Sequence, residues 1–361
     1  MADEIGDHLA IHIGAKLQVQ SPISSNCSIM KVPQYLRNVY PPAYEPHILA
    51  IGPYHSGKSH LNGMEKHKTL YLKLLLQRRG ETDVTRYVTA MRALEERARK
   101  CYTEPMNLEQ GQFVEMMLLD ACFITELLRK YKMANFREND DPIFSAGYAY
   151  YSESPMSPVN HLLEFIHHNW QPSCSRTMRN CRKVTGERKY REVIRCATEL
   201  KEAGIKFMKV EGESLFDIKF ENGIVKLPRL NIDDDAEPLV RNLIVYEQFS
   251  SQEENPNYVT DYMNLMECLI TSAKDVELLC QHGIINNCIG DDQVMANIFN
   301  TIGFFLVLSP ESYYSQVFDD VNEHCSRRWN KWMANLRVTY FNSPWSFISF
   351  LAAFFLLIFL L

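Results

Sequence analysis

The last stretch of the chain, PWSFISFLAAFFLLIFLL from Pro344 to Leu361, contains no charged residue. At a helical rise of about 1.5 Å per residue it spans roughly 27 Å, close to the ~30 Å hydrocarbon core of a bilayer. A helix in a soluble core usually keeps a polar face, so a transmembrane anchor is the stronger expectation. Tyr340 and Trp345 stand where aromatic side chains meet headgroups, and Arg327, Arg328, Lys331 and Arg337 precede the run while nothing follows it. That asymmetry predicts a single-pass protein of the plasma membrane or an endomembrane, with its body in the cytosol.

The rest of the 361 residues is long enough for one large domain or two ordinary ones, and a hydrophobic content of 46% can fill a core. With 38 basic against 44 acidic residues the net charge is −6, which argues against a nucleic-acid partner. MADEIGDHLA is acidic and lacks the apolar core of a secretory signal. The ten cysteines include no CxxC pair, as suits reduced thiols in the cytosol. The expected organisation is a mobile segment over 1–30, a helical half over 31–172, a basic linker over 173–192, a second helical half over 193–340 and the anchor over 344–361.

Within that frame ILAI, Ile48–Ile51, reads as a strand ended by Gly52-Pro53. MEKHKTLYLKLLLQRR reads as a helix closed at Gly80, and a second helix follows from Asp83, with Val84, Tyr87, Val88, Met91, Leu94, Ala98 and Cys101 at helical spacing. Leu108–Tyr131 is apolar over most of its circumference and is the expected central helix. HLLEFIHHNW reads as a short helix. Arg176–Arg195 carries eight basic residues against two acidic ones, a solvated linker or a patch for anionic lipid. The strand candidates IKFMKV and SLFDIKFENGIVKLPRL surround Asn222-Gly223, a strong hairpin signal, which pairs Phe220 with Val225 and Ile218 with Leu227 on one face and Lys219 with Lys226 on the other. Further helices are expected after Asp233–Asp235, from Pro256 to Ile270, from the capping box of Ser272 and Asp275, after Asp291-Asp292, and from Pro310 towards the membrane. The fold class is mainly α, with a small β-hairpin element and a C-terminal transmembrane helix.

One motif points to chemistry. Gly52-Pro53-Tyr54-His55-Ser56-Gly57-Lys58-Ser59 matches the phosphate-cradling pattern GxxxxGK[ST], with Gly52, Gly57, Lys58 and Ser59 as the phosphate-binding residues. Against it, Pro53 removes a backbone N–H and Gly63 is expected to break the helix that should begin there. A tight structural turn is the simpler reading. His55, His60 and His67 lack a metal-ligand spacing, as do Cys280, His282 and Cys288, and the Asp233–Asp235 run lacks further calcium ligands. Asp120 reads as a buried, hydrogen-bonded carboxylate. No metal, cofactor or catalytic residue is implied.

VPQYLRNVYPPAYEPHILAIGPYHSGK, FVEMMLLDACFITELL, LFDIKFENGIVKLPRLNIDD, RNLIVYEQ, TSAKDVELL, GIINNCIGDD, RRWNKW and YFNSPW together resemble the plant family called domain of unknown function 247, in order from about Met30 to the C-terminus. The resemblance implies a single-span plant membrane protein without established enzymatic activity. Association of some members with self-incompatibility loci in grasses implies recognition or signalling. One departure stands out: after DPIFS the family carries a leucine-rich helix with a Glu-Asn-Gln-Pro core, whereas here DPIFSAGYAYYSESPMSPVN passes straight to HLLEFI. The expected function is non-enzymatic interaction through a protein partner, with the bilayer held by residues 344–361. The alternative is a tail-anchored nucleotide-binding protein using Lys58 and Ser59.

Overall fold

A computed structural model of the protein describes residues 29–133, 162–170, 193–211, 214–249, 257–304, 306–308 and 312–326, with His12, Asp141 and Ile348 as isolated positions. The chain divides into two compact units, one of Met1–Gln34 with Tyr44–Met156 and one of Tyr35–Ala43 with Ser157–Leu361. The expected linker 173–192 lies outside the described residues, as do Arg327, Arg328, Lys331, Arg337, Tyr340, Trp345 and all of 344–361 except helical Ile348. Among the described residues no helix is long and apolar enough to cross a membrane.

The first unit is built on α1 (Asn62–Arg79), α2 (Thr85–Arg99) and α3 (Gln110–Lys132). α3 starts where the sequence can cap it, because Glu109 accepts from the backbone of Gln112 and the Gln112 side chain reaches back to the Glu109 N–H. Its Phe113, Val114, Leu118, Cys122 and Phe123 are buried. Leu118 and Cys122 close with Leu75 into a small core lined by Leu72, Tyr87, Val88 and Met91, while Phe123 stacks on Tyr71 at 5.0 Å. Each such side chain contributes about 1.5–3 kcal/mol by leaving water. Leu108–Tyr131 is thus the central helix of its unit, as its pattern indicates.

Two local expectations fail here. Ile48–Ile51 is not a strand: it has bends and irregular backbone, with Ala50 buried and Ile48 and Ile51 each 39% exposed. An apolar run makes a strand only beside a partner, and the backbone pairing described in this unit is a single bridge of Ile29 to Tyr102. Gly63 does not break its helix either, since α1 runs through it. Glycine keeps its N–H and so costs a helix only about 1 kcal/mol of backbone freedom, which the rest of α1 outweighs.

The second unit carries α4 (Leu162–Asn169), α5 (Ala197–Glu202), α6 (Ala236–Phe249), α7 (Tyr258–Leu269), α8 (Ala273–Gln281), α9 (Asp292–Ile302) and α10 (Ser315–Ser326). The Ser272–Asp275 box caps α8, and Asp291 accepts from the N–H groups of Gln293 and Val294 at the start of α9. α7 is buried around its circumference, polar Thr260, Asp261 and Asn264 included. The β content exceeds the expected hairpin. β2 (Lys219–Glu221) and β3 (Ile224–Pro228) pair antiparallel in the expected register, Phe220 opposite Val225 and Lys219 opposite Lys226. β1 (Lys206–Val210) adds in parallel to β3, giving the order β1-β3-β2, and β4 (Leu230–Ile232) pairs in parallel with β5 (Ile285–Asn287). One core holds this unit together, with Phe207, Val225 and Leu227 from the sheet meeting Leu265, Met266, Met295 and Phe318 from the helices.

Candidate functional site

The GPYHSGKS segment forms a turn in the first unit. Gly52 and Gly57 both take left-handed backbone conformations, at φ 80° and 81°, which favour glycine. A Cβ on Gly52 would also sit 3.1 Å from the Tyr102 hydroxyl. The chain then winds through a 3₁₀ turn over Ser59–Leu61 straight into α1.

The turn is fastened to α3 through Asp120. The Gly52 N–H donates to Asp120 Oδ2 at 2.7 Å, and Lys68 Nζ, 3% exposed on α1, lies 2.6 Å from Oδ1. Burial pushes the Asp120 carboxyl up, and the Lys68 ammonium and the Gly52 N–H oppose that push. Tyr102 is pushed up to about 12, first by burial and then by the Asp120 charge. Tyr54 packs edge-on against Tyr102 at 5.5 Å and donates to the Ile29 carbonyl at 3.3 Å.

Of the four residues of the phosphate reading, two are engaged within the unit. Gly52 gives its N–H to Asp120, and Lys58 donates to Glu45 Oε2. Gly57 has nothing within 4 Å of a would-be Cβ, and Ser59 opens the 3₁₀ turn. For Lys58 to meet a phosphate it must leave Glu45, and no strand precedes the turn. His60 Nε2 lies 3.2 Å from the Pro46 carbonyl, and among the described residues no group of histidine, cysteine, aspartate or glutamate could hold a metal ion.

Further along α3, buried Lys130 bonds Asp141 at 2.8 Å and lies over the Tyr71 ring, whose hydroxyl also donates to Asp141 at 2.6 Å. Glu126, fully buried, takes Arg78 and Arg129.

The second unit holds two polar clusters that the sequence does not announce. Glu247 at the end of α6 accepts from the N–H groups of Val259 and Thr260 at 2.9 and 2.7 Å and from the Thr260 hydroxyl at 2.6 Å, capping α7 from another helix. His167 Nε2 lies 2.8 Å from the same carboxylate. Tyr258 donates to the His167 carbonyl, and its oxygen also lies 3.0 Å from His167 Nδ1. His167 and Tyr258 are each 1% exposed, which closes this Tyr-His-Glu arrangement to a substrate.

Asp275 is the second hub. Its carboxylate accepts from the N–H and hydroxyl groups of Thr198, Thr271 and Ser272, at 2.8–3.2 Å. Burial alone would raise this carboxyl, but the donors, Thr198 foremost, outweigh it and hold the group below its ordinary value.

Comparison with known proteins gives a consistent picture. The sequence profile of DUF247, described as "Plant protein of unknown function", matches residues 29–154 and again 145–359. The UPF0481 protein At3g47200 of Arabidopsis thaliana is 26% identical, with 95% of this chain and 86% of the relative covered. Its alignment runs over 416 positions against the 361 residues of this chain, so the relative carries sequence that this chain lacks. The putative UPF0481 protein At3g02645 of the same plant is 28% identical over 45% of this chain and 31% of its own length. No solved structure matches.

Proposed function

Because the chain belongs to the plant DUF247 family, whose activity is not known, we propose from its own residues that it is a membrane-anchored, non-enzymatic protein that works by contacting another protein. The observation that carries the anchor is the uncharged run Pro344–Leu361, preceded by Arg327, Arg328, Lys331 and Arg337. The non-enzymatic half is supported by where the ionisable groups go. Asp120 fastens a turn, Glu247 caps α7, Asp275 joins α5 to α8, and Lys130 with Asp141 braces α3. Ionisable groups that serve catalysis face a cleft, whereas these are closed into the body. The plasma membrane or an endomembrane is the proposed location, with the body in the cytosol.

The test is flotation of the full chain with neutral phosphatidylcholine vesicles, followed by an alkaline carbonate wash. The expected result is retention through the wash, lost when residues 344–361 are deleted; a full chain that washes off overturns the anchor. ATP and GTP are titrated in parallel, and no binding is expected. Micromolar affinity that Lys58→Ala abolishes would instead establish the nucleotide reading.

A further inference from the structure

The strand register places side chains in two rows across one face of the β1-β3-β2 sheet. Lys206, Ile224 and Glu221 form one row, and Met208, Lys226 and Lys219 the other. The opposite face turns Phe207, Val225 and Leu227 into the core. On the outer face Lys206 and Lys219 are exposed, and Met208 is 40% exposed beside them.

This face is more basic than stability favours. Lys219 stands directly opposite Lys226, and like charges in that position repel. Glu221 bonds Lys226 Nζ at 2.5 Å and lies within electrostatic reach of Lys219, so the two lysines share one carboxylate. On this face three lysines stand against the single carboxylate of Glu221, in a protein whose net charge is −6. The sheet is also tied, through its opposite face, to the helix after which the chain leads on to the apolar run. α10 packs on β2, with the His324 ring 5.5 Å from that of Phe220 and its Cε1 3.0 Å from where a Cβ on Gly223 would stand. Residues 327–343 then join α10 to the apolar run, a tether of at most about 60 Å when fully extended.

We propose that the outer face of this sheet is a docking surface for an anionic lipid bilayer, with Lys206, Lys219 and Lys226 meeting the headgroups and Met208 entering the interface. It builds on the anchored reading above, because the tether holds the face at high effective concentration beside the membrane. Cytoplasmic leaflets carry the negative surface potential that three lysines read. Contact supplies counter-charge to a face where three lysines share the one carboxylate of Glu221.

The experiment uses the full chain on vesicles of phosphatidylcholine alone or with phosphatidylserine, and measures acetylation of each lysine by mass spectrometry. Lys206 and Lys219 are expected to react about fivefold more slowly on the anionic vesicles. The protection should vanish at about 0.5 M salt, where the screening length falls to about 4 Å. Lys73, exposed in the other unit, should not change. In the Lys206→Glu, Lys219→Glu double variant, which alters only exposed positions, Lys226 should lose its protection. A chain that floats on both vesicles and is labelled equally on both overturns the proposal and leaves the face to a protein. A chain that fails to float on neutral vesicles overturns the anchor instead. Docking then stands if the chain floats on anionic vesicles with the same two lysines protected, and falls if it floats on neither.

Discussion

Asp275 shows how much one carboxylate can organise. Replacing it with asparagine keeps one acceptor oxygen but sets an NH2 against the N–H and hydroxyl donors that bonded the other, Thr198 on Oδ1 or Thr271 and Ser272 on Oδ2, with an expected loss of about 3 kcal/mol in urea unfolding at neutral pH. The sign of its pH dependence follows from the lowered folded-state value. Its stabilisation is fully present above the unfolded carboxyl value of about 4 and fades as pH falls through the lower folded value. The gap between the parent and Asp275→Asn should therefore be flat above about pH 5 and shrink below about pH 4; a gap that widens on acidification contradicts the role. Ser272 and Asp275 were legible as a capping box because both lie in one turn. Thr198 was not, since it reaches the same carboxylate from 77 positions away. Lys68 was hidden for the same reason, because a lysine in MEKHKTLYLK reads as solvated until Asp120 is brought beside it.

At the scale of elements, local signals transferred well and pairings between distant segments did not. Asn222-Gly223 forms the turn its composition demands, at φ 53° and 78°, and so it fixed the register of β2 with β3. Gly223→Ala should cost about 1–3 kcal/mol, because alanine is strained at that φ and its Cβ would press on the His324 ring. Thermal unfolding measures the loss, and shortening His324 to alanine in the same chain should recover only the steric part. The parallel addition of β1 to β3 left no trace in composition, and β4 and β5 are only three residues long. α7 was legible as a helix but not as the buried one of its unit. Its Thr260, Asp261 and Asn264 imitate a solvated face, and the Glu247 cap on Thr260 and the bond from the Tyr313 N–H to Asp261 show how two of them are buried.

For the whole molecule the family was legible from motifs spread along the chain, and the profile meets it in two segments that overlap at 145–154. That overlap lies within DPIFSAGYAYYSESPMSPVN, where the sequence departs from the resemblance. Orientation in the membrane has a reporter in the chain itself, Asn26-Cys27-Ser28, a glycosylation acceptor outside the described residues. With the body in the cytosol Asn26 is expected to stay unmodified in plant cells. A mass shift removed by glycosidase and by Asn26→Gln would turn the body outward and reopen the pairing of its cysteines. The pairing of β4 with β5 has a consequence in time. Leu230 meets Ile285, so at a synthesis rate of about 5–20 residues per second the ribosome releases the second strand roughly 3–11 s after the first. Throughout that interval the nascent chain holds an unpaired β4 edge beside the emerging apolar helices, and its yield in the cell depends on what shields that edge until translation catches up.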